Sequence, residues 1–317
     1  MKNLIKLLSL VLFVSFASCN DDDNSNVPTP TNTIVDVASG NTDLDLLVQA
    51  ATRAGLVDAL KQTDITVFAP NNAAFQALLD SDQSWNTIND IPVSTLETVL
   101  KFHVIEGRVR ANQLSDTYVN TLATGPNNEP LSLQVNVTGG VEFNGNAAPL
   151  TTDVEASNGV VHIINSVMMP RNIVALAQGN SNFTTLVAAL TDSRHTTDFV
   201  GLLTGSGPFT VFAPTNGAFQ ALLDTNQNWN TLADIPIGTL ENVLKYHVLG
   251  LNVQADQLIN GAVPTLLGTN VTIDLTNGAQ LVTGANQTVN ILVDPATNDV
   301  QGTNGVIHAV DTVLLPN

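Results

Sequence analysis

The sequence Thr66-Val-Phe-Ala-Pro70 occurs a second time in the chain, as Thr210-Val-Phe-Ala-Pro214. The similarity extends further, because 28 of the 39 residues that start at Thr66 are identical to those that start at Thr210, at a constant offset of 144. Two more pairs of segments match: Ile34-Val35 with Ile173-Val174, and Asn158 to His162 with Asn304 to His308. A repeat of this length is too long for a solenoid and is typical of tandem domains. We predict one domain at residues 33–171 and a second at residues 172–317.

The first half of each repeat has the apolar spacing of helices. Apolar residues recur at i, i+3, i+4 and i+7 from Leu44 and again from Phe183, which places them on one face of an amphipathic helix. The pair Asn71-Asn72 stands where the N-cap of a following helix is expected. Ser94 and Glu97 form a capping-box pattern that predicts the start of another helix.

The second half of each repeat changes to the two-residue period of β-strands. Residues 131–137 alternate between apolar and polar, and Gly139-Gly140 then predicts a hairpin turn. Residues 271–278 repeat this arrangement, and the last strands are predicted at residues 160–167 and 306–314. Because helices come first and strands later, the pattern predicts an α+β fold with antiparallel pairing.

The composition describes a folded, acidic protein. Asp and Glu number 28 against 10 Lys and Arg, which gives a formal net charge of −18. A surface of this charge repels phosphate backbones, so we predict no nucleic-acid partner. Hydrophobic residues make up 44% of the chain, which excludes a disordered protein.

The N-terminus carries the features of an export signal. Lys2 and Lys6 form a positive region before the apolar core Leu7 to Phe16, and this core is too short to cross a bilayer. The only cysteine, Cys19, follows two small residues as in a bacterial lipobox, where the thiol is diacylated. We predict a signal peptide at residues 1–18 and attachment to a membrane only through lipid on Cys19. Plain secretion with an unused cysteine is the alternative.

Residues 19–32 form a polar, acidic tether without hydrophobic periodicity. Acidic residues directly after a lipidated cysteine resemble the surface-export signals of lipoproteins in some Gram-negative lineages. We therefore predict an outer-membrane lipoprotein that faces the cell exterior, with a periplasmic orientation as the alternative. Its partner would be a surface protein or a polysaccharide.

The repeated segments resemble the fasciclin (FAS1) domain family. The family's first box, its Tyr-His pair and its second box occur once in each repeat, at residues 66–75 and 210–219, Phe102-His103 and Tyr246-His247, and residues 158–170 and 304–316. Three boxes in order, at domain spacing and in duplicate, are a highly specific signal. The resemblance covers nearly all of the chain after the tether.

The resemblance implies both a fold and a role. Each domain is expected to be a β-wedge of two short sheets flanked by helices, and to act as an adhesion or binding module outside the cell or in its envelope. The family is not built around a shared catalytic centre, and no cofactor is expected. The first repeat departs from the pattern at Phe102, where Tyr is usual, and at Asn165, where the second repeat keeps Asp311. If these positions carry polar contacts, the first domain has lost part of them.

Four of the five histidines occupy equivalent positions, His103 with His247 and His162 with His308. We predict core residues held by backbone hydrogen bonds, because each lies on an apolar face and a neutral imidazole needs only two partners. A metal site would need further ligands, and none recurs near them. The fifth histidine, His195, lies in an insertion of the second repeat and is predicted to be a solvated loop residue.

The sequence favours a non-enzymatic adhesion or binding lipoprotein. An envelope enzyme or accessory protein that acts on glycans is the first alternative, and a packing role in the envelope is the second. Trp85 and Trp229 are predicted to be buried, although exposed rings could stack on a sugar. The candidate binding or structural residues are Phe102, His103, His162, Asn165, Tyr246, His247, His308 and Asp311.

Overall fold

The computed structural model describes residues 30–294 and 297–317. The predicted signal peptide, Cys19 and nearly all of the predicted tether lie outside the described residues. Within this part of the chain, no helix is long and apolar enough to cross a membrane.

The first repeat folds into four α-helices and seven β-strands. The helices are α1 (Ile34–Ser39), α2 (Asp45–Arg53), α3 (Asn72–Asp80) and α4 (Val93–Phe102). The strands are β1 (Ile65–Pro70), β2 (Val104–Glu106), β3 (Thr117–Thr124), β4 (Pro130–Asn136), β5 (Glu142–Phe143), β6 (Pro149–Ala156) and β7 (Gly159–Ile164).

The second repeat has the same order with one additional helix and one additional strand. Its helices are α5 (Ile173–Gln178), α6 (Thr184–Leu190), α7 (Phe199–Leu203), α8 (Asn216–Asp224) and α9 (Ile237–Tyr246). Its strands are β8 (Phe209–Pro214), β9 (Val248–Leu249), β10 (Gly261–Pro264), β11 (Asn270–Asp274), β12 (Gln280–Val282), β13 (Thr288–Asn290), β14 (Val300–Gly302) and β15 (Gly305–Val310). Short 3-10 turns connect several of these elements.

The two domains differ in how their sheets are joined. The second domain has two four-stranded sheets, in the orders β10-β11-β12-β13 and β14-β15-β8-β9. The first domain has a single seven-stranded sheet, in the order β5-β4-β3-β2-β1-β7-β6. The expectation of two short sheets therefore holds only for the second domain, because the pairing of Ile105 with Thr121 joins β2 to β3 in the first.

The sequence predicted antiparallel pairing, but the structure also contains parallel pairs of strands. β1 runs parallel to β7 from Ile65 opposite Gly159 to Pro70 opposite Ile164, and β8 runs parallel to β15 in the same way. Parallel neighbours need a long crossover, and the helices and hairpins between β1 and β7 provide one. The prediction was wrong here because local turns do not report on strands so far apart in sequence.

The helix starts show which capping patterns the chain uses. The side chain of Asn71 accepts a 2.9 Å hydrogen bond from Ala74 N and caps α3, as predicted. The predicted capping box of Ser94 and Glu97 does not form, because α4 already begins at Val93 after Pro92 and has no side-chain cap. Glu97 instead lies 2.6 Å from the ammonium of Lys101, one turn later.

Each domain has two hydrophobic cores, one on each face of its central strands. In β1, Val67 and Ala69 face the helices while Phe68 faces the opposite core, as the two-residue period of a strand requires. Trp85 and Trp229 pack against the helix-side cores of the first and second domain respectively. Both rings are half-buried rather than fully buried, because each lies in a loop at the rim of its core.

The two domains pack directly against each other through a polar interface. β4 of the first domain lies against β14 of the second. Ser132 Oγ accepts a 2.9 Å hydrogen bond from Gln301 N, and Gln134 Nε2 donates a 2.8 Å bond to Gly179 O. The ring of Tyr118 adds an apolar contact with the helix-side core of the second domain. The covering strand explains why Ser132 and Gln134 are both buried.

Candidate functional site

His103 and His247 occupy equivalent places at the ends of α4 and α9. The Nδ1 of His103 donates to Val99 O at 2.7 Å, and its Nε2 accepts from Met168 N at 2.9 Å. His247 repeats these contacts with Val243 O and Leu314 N at the same distances. Burial lowers the pKa of each imidazole to about 4, against a weaker opposing effect of the backbone carbonyl. Both rings are therefore neutral cross-links between a helix end and the segment after the last strand.

His162 and His308 hold a second pair of backbone segments. His162 Nε2 donates to Val109 O at 2.8 Å, and His308 Nε2 donates to Val253 O at 2.8 Å. Both side chains lie inside their domains. Burial lowers the pKa of His308, with smaller opposing effects from Val253 and the charge of Asp299. The four repeated histidines thus act within the fold, and none is presented to a partner.

Metal-ligand clusters are missing from residues 30–294 and 297–317, where no group of three or more His, Cys, Asp or Glu side chains is placed to hold an ion. Each repeated histidine uses both ring nitrogens on neighbouring protein groups. An imidazole engaged in this way has no lone pair free for coordination.

Tyr246 shows what the first domain lacks at Phe102. The Tyr246 hydroxyl donates to Asn270 O at 2.8 Å and accepts from Gly284 N at 3.1 Å, which joins α9 to the start of β11 and to the loop after β12. Phe102 is buried in the corresponding core of the first domain and has no hydroxyl to do this.

Asn165 and Asp311 also differ by one contact. Asp311 accepts from both Asn290 N and Asn290 Nδ2, at 3.0 and 2.6 Å. Asn165 accepts from Ala148 N at 2.8 Å, and Ala148 offers no side-chain donor. Asn165 therefore joins the end of β7 to the start of the neighbouring β6, whereas Asp311 joins the end of β15 to β13 of the other sheet and makes one more side-chain bond.

The sequence predicted that His195 lies in solvent, but the structure buries its side chain. Its side chain is only 4% exposed and packs edge-on against Phe199, with ring centroids 4.8 Å apart. Its Nε2 donates to Ala189 O at 2.7 Å. The insertion folds back over α9, where Glu241 accepts hydrogen bonds from Thr196 N and Thr197 N. The Thr196 bond is the main reason that the pKa of Glu241 is lowered to about 2.

Sequence reasoning missed a cleft of about 510 Å³ where the two domains meet. Its walls come from β3, β4 and β5 of the first domain and from residues 179–182 of the second. The lining mixes carboxylates, amides and hydroxyls, including Asp116, Thr117, Gln134, Asn136, Glu142 and Asn182. No motif marks these residues, because the cleft exists only when both domains are in place.

Comparisons with known proteins agree with the repeated architecture. The chain matches the Fasciclin domain family at residues 42–170 and 181–316. It is similar to transforming growth factor-beta-induced protein ig-h3 of Sus scrofa, with 29% identity over 255 residues that make up 80% of this chain and 35% of that protein. It is also similar to protein sll1483 of Synechocystis sp., with 38% identity over 156 residues that make up 45% of this chain and 73% of that protein. The chain thus corresponds to about a third of the pig protein's length.

A solved structure shares the arrangement of two consecutive domains. It is a FAS1 domain pair from the insect cell adhesion molecule fasciclin I, with a TM-score of 0.50 and 21% identity, covering 87% of this chain and 98% of that chain. At this identity the likeness concerns the fold alone. Together, the two matched segments and the shared two-domain fold show that this chain belongs to the fasciclin domain family.

Proposed function

We propose that the chain is a non-enzymatic adhesion protein of the bacterial outer membrane, anchored by lipid on Cys19 and facing the cell exterior. The observation that carries this proposal is the pair of complete fasciclin domains, matched at residues 42–170 and 181–316. Fasciclin domains occur in cell-adhesion proteins, among them the insect molecule whose domain pair has the same fold.

The burial of the signature boxes supports contacts through other surfaces. The strands β1 and β8 are buried along their whole lengths, and the repeated histidines are directed inward. A partner would therefore meet loops, strand edges and the junction of the domains. Large hydrophobic side chains stand on this outer surface, with Ile259 76% and Val293 82% exposed.

The anchor and the paired domains would work together in adhesion. Two acyl chains on one cysteine give stable membrane attachment, and a polar tether lets the domains extend from the surface. Because the domains are joined by a buried interface, they would present a fixed composite surface to a partner. Many copies on one cell would then strengthen individually weak contacts by avidity.

The electrostatics of the inter-domain cleft argue against the alternative of a glycan-processing enzyme. Such enzymes use a carboxylic acid with a raised pKa beside a second carboxylate. Asp116 in the cleft has a lowered pKa instead, because it accepts hydrogen bonds from the hydroxyl of Thr138 and from the backbone of Val137 and Thr138. A carboxylate with these hydrogen bonds stabilises the loop at residues 137–138.

Protease treatment of intact cells tests the proposed location. Fragments from residue 33 onward should be released from unbroken cells and identified by mass spectrometry. The matched variant Cys19→Ser can no longer be lipidated, so its domains should be absent from the cell surface and should yield no fragments until the outer membrane is broken. If the domains of the unaltered protein are cut only after the outer membrane is broken, they face the periplasm and adhesion to other cells is excluded.

A further inference from the structure

We propose that the cleft between the two domains binds a neutral saccharide unit of a surface glycan, an assignment that rests on the adhesion role proposed above. The cleft volume of about 510 Å³ falls within the usual range for ligand pockets. Both domains contribute to its walls, so it is a property of the pair.

Arg171 supplies unused hydrogen-bond donors beside this cleft. Of the lysines and arginines in the described part of the chain, it alone forms neither an ion pair nor a hydrogen bond through its side chain. Its guanidinium lies over two glycines, because a Cβ at Gly145 or Gly179 would come within 2.7 or 2.8 Å of its nitrogens. The equivalent residue of the second repeat is Asn317, which lies over Gly284 in the same way. The second domain therefore has no cation at the equivalent position.

Glu142 complements this guanidinium. Its carboxylate lines the cleft and acts electrostatically on Arg171 without forming an ion pair with it. A guanidinium can only donate hydrogen bonds, and a carboxylate can only accept them. A hydroxyl group does both, so the hydroxyls of a sugar that reaches both groups can accept from Arg171 and donate to Glu142. Hydrogen bonds to charged groups of this kind are stronger than neutral ones.

The remaining lining suits a ligand with several hydroxyl groups. Asn136 and Asn182 offer amides, and each amide presents both donors and an acceptor. Thr117 and Ser181 add groups of the same dual character. A polyhydroxylated ring can use this mixture at several points, whereas an apolar ligand would leave these groups unsatisfied.

The balance of charge favours a neutral glycan over an acidic one. Asp116 and Glu142 are carboxylates that line the cleft, and its lining includes no lysine or arginine. The guanidinium of Arg171 lies beside it, over Gly179. The whole chain carries −18. A chain of uronic acids would be repelled both at the site and on approach.

The domain interface holds the cleft ready for a ligand. Gln134 lines it while its Nε2 donates across the junction to Gly179 O at 2.8 Å. Tyr118 also lines it while its ring packs against the core of the second domain. A site fixed in this way loses little conformational entropy on binding.

Calorimetric titration of the full-length protein tests the assignment. The probes are neutral cello- and malto-oligosaccharides, an oligogalacturonate of similar length, and free glycine as a zwitterion. We expect saturable binding of a neutral oligosaccharide, weakened about tenfold or more by Arg171→Gln and by Glu142→Gln.

Lys61→Gln and Glu97→Gln make the same charge changes at exposed ion pairs away from the cleft and should leave the affinity unchanged. Asn182→Ala removes an exposed lining amide and gives a further variant that should fold normally.

Several results would overturn the assignment. These are the absence of binding by every neutral oligosaccharide, tighter binding of oligogalacturonate or glycine, and equal losses in the cleft and control variants. Different results would overturn the adhesion role and the cleft assignment. If cells with Arg171→Gln attach as the parent cells do while the oligosaccharides do not bind, the cleft assignment is wrong and adhesion stands. If the domains are protected from protease on intact cells, adhesion fails whatever the cleft binds.

Discussion

The imidazole of His103 accepts a hydrogen bond from the backbone N–H of Met168 at 2.9 Å, and so joins the end of α4 to a segment 65 residues away. The same ring donates to Val99 O at 2.7 Å, which fixes the tautomer. Protonation at Nε2 would place two donors face to face and break this link. His247 makes the equivalent link to Leu314, so each domain has one such lock.

The histidine locks predict that the protein loses stability in mild acid. Because the pKa of each ring falls from 6.5 to about 4 on folding, the unfolded state binds more protons between these values. The stabilisation is therefore complete above pH 6.5 and is lost as the pH falls toward 4. Its full size is about 3 kcal/mol for each histidine, from about 1.4 kcal/mol per pKa unit.

Thermal unfolding of the full chain at pH 7 and pH 4.5 measures this loss. Most carboxylates with lowered pKa values act below this interval, and Glu241 contributes only at its lower end. The contribution of an imidazole is therefore identified by a variant. His103→Gln should unfold more easily at pH 7 and change less between the two pH values. Equal melting temperatures of the unaltered protein at pH 7 and pH 4.5 would show that the rings are not buried neutral locks.

The hydroxyl of Tyr246 should be worth measurable stability. Tyr246→Phe removes the partner of both Asn270 O and Gly284 N, which lie at 2.8 and 3.1 Å. Loss of these bonds should cost the second domain about 1–3 kcal/mol, measured by denaturant unfolding. The first domain supplies the natural comparison, because Phe102 packs in the same place without a hydroxyl. A change below about 0.3 kcal/mol would mean that water replaces the hydroxyl without cost.

Glu241 and Glu97 are equivalent positions with different environments, which makes them a matched pair. Glu241 has a side chain 11% exposed and holds the insertion through Thr196 N, whereas Glu97 is 45% exposed and pairs only with Lys101. Glu241→Gln should lower the melting temperature of the second domain by several degrees, because an ionised acceptor is lost. Glu97→Gln should leave the melting temperature of the first domain nearly unchanged, as is usual for exposed ion pairs. Equal shifts in the two variants would contradict the role of Glu241 in holding the insertion against α9.

Ser132 should couple the two domains. Ser132→Ala leaves the N–H of Gln301 buried without its 2.9 Å partner, which should cost about 1–3 kcal/mol and separate the unfolding of the domains. Ser94→Ala is the same change at an exposed position in α4 and should be neutral or slightly stabilising. Scanning calorimetry of both variants measures whether the domains unfold in one transition or in two. The interface would be unimportant if Ser132→Ala melted as the unaltered chain does.

The sequence predicted the features that depend on neighbouring residues or that recur in both repeats. Helical spacing located α2 and α6, the N-cap of α3 was identified at Asn71, and the repeated histidines were expected to be buried. These features depend on neighbouring residues or on their recurrence in the second copy, and both are visible without a structure.

What the sequence did not reveal depends on contacts between distant segments. The alternation in β4 ordinarily leaves Ser132 and Gln134 in water, yet β14 of the other domain covers them. His195 stands in an insertion that has no counterpart in the first repeat, so only the fold shows that it packs beside Glu241. Arg171 and Glu142 are likewise distant in sequence, and only the fold brings them close enough for Glu142 to act electrostatically on Arg171.

Retention of cells under flow tests the adhesion role most directly. Cells that carry the unaltered chain are compared with cells that make Cys19→Ser, on a layer of the same cells and on a bare surface as control. We predict that cells with the unaltered chain are retained on the cell layer at higher flow than Cys19→Ser cells, with no difference on the bare surface. Equal retention of the two strains on the cell layer, with the protein confirmed on the outer face, would contradict an adhesive function.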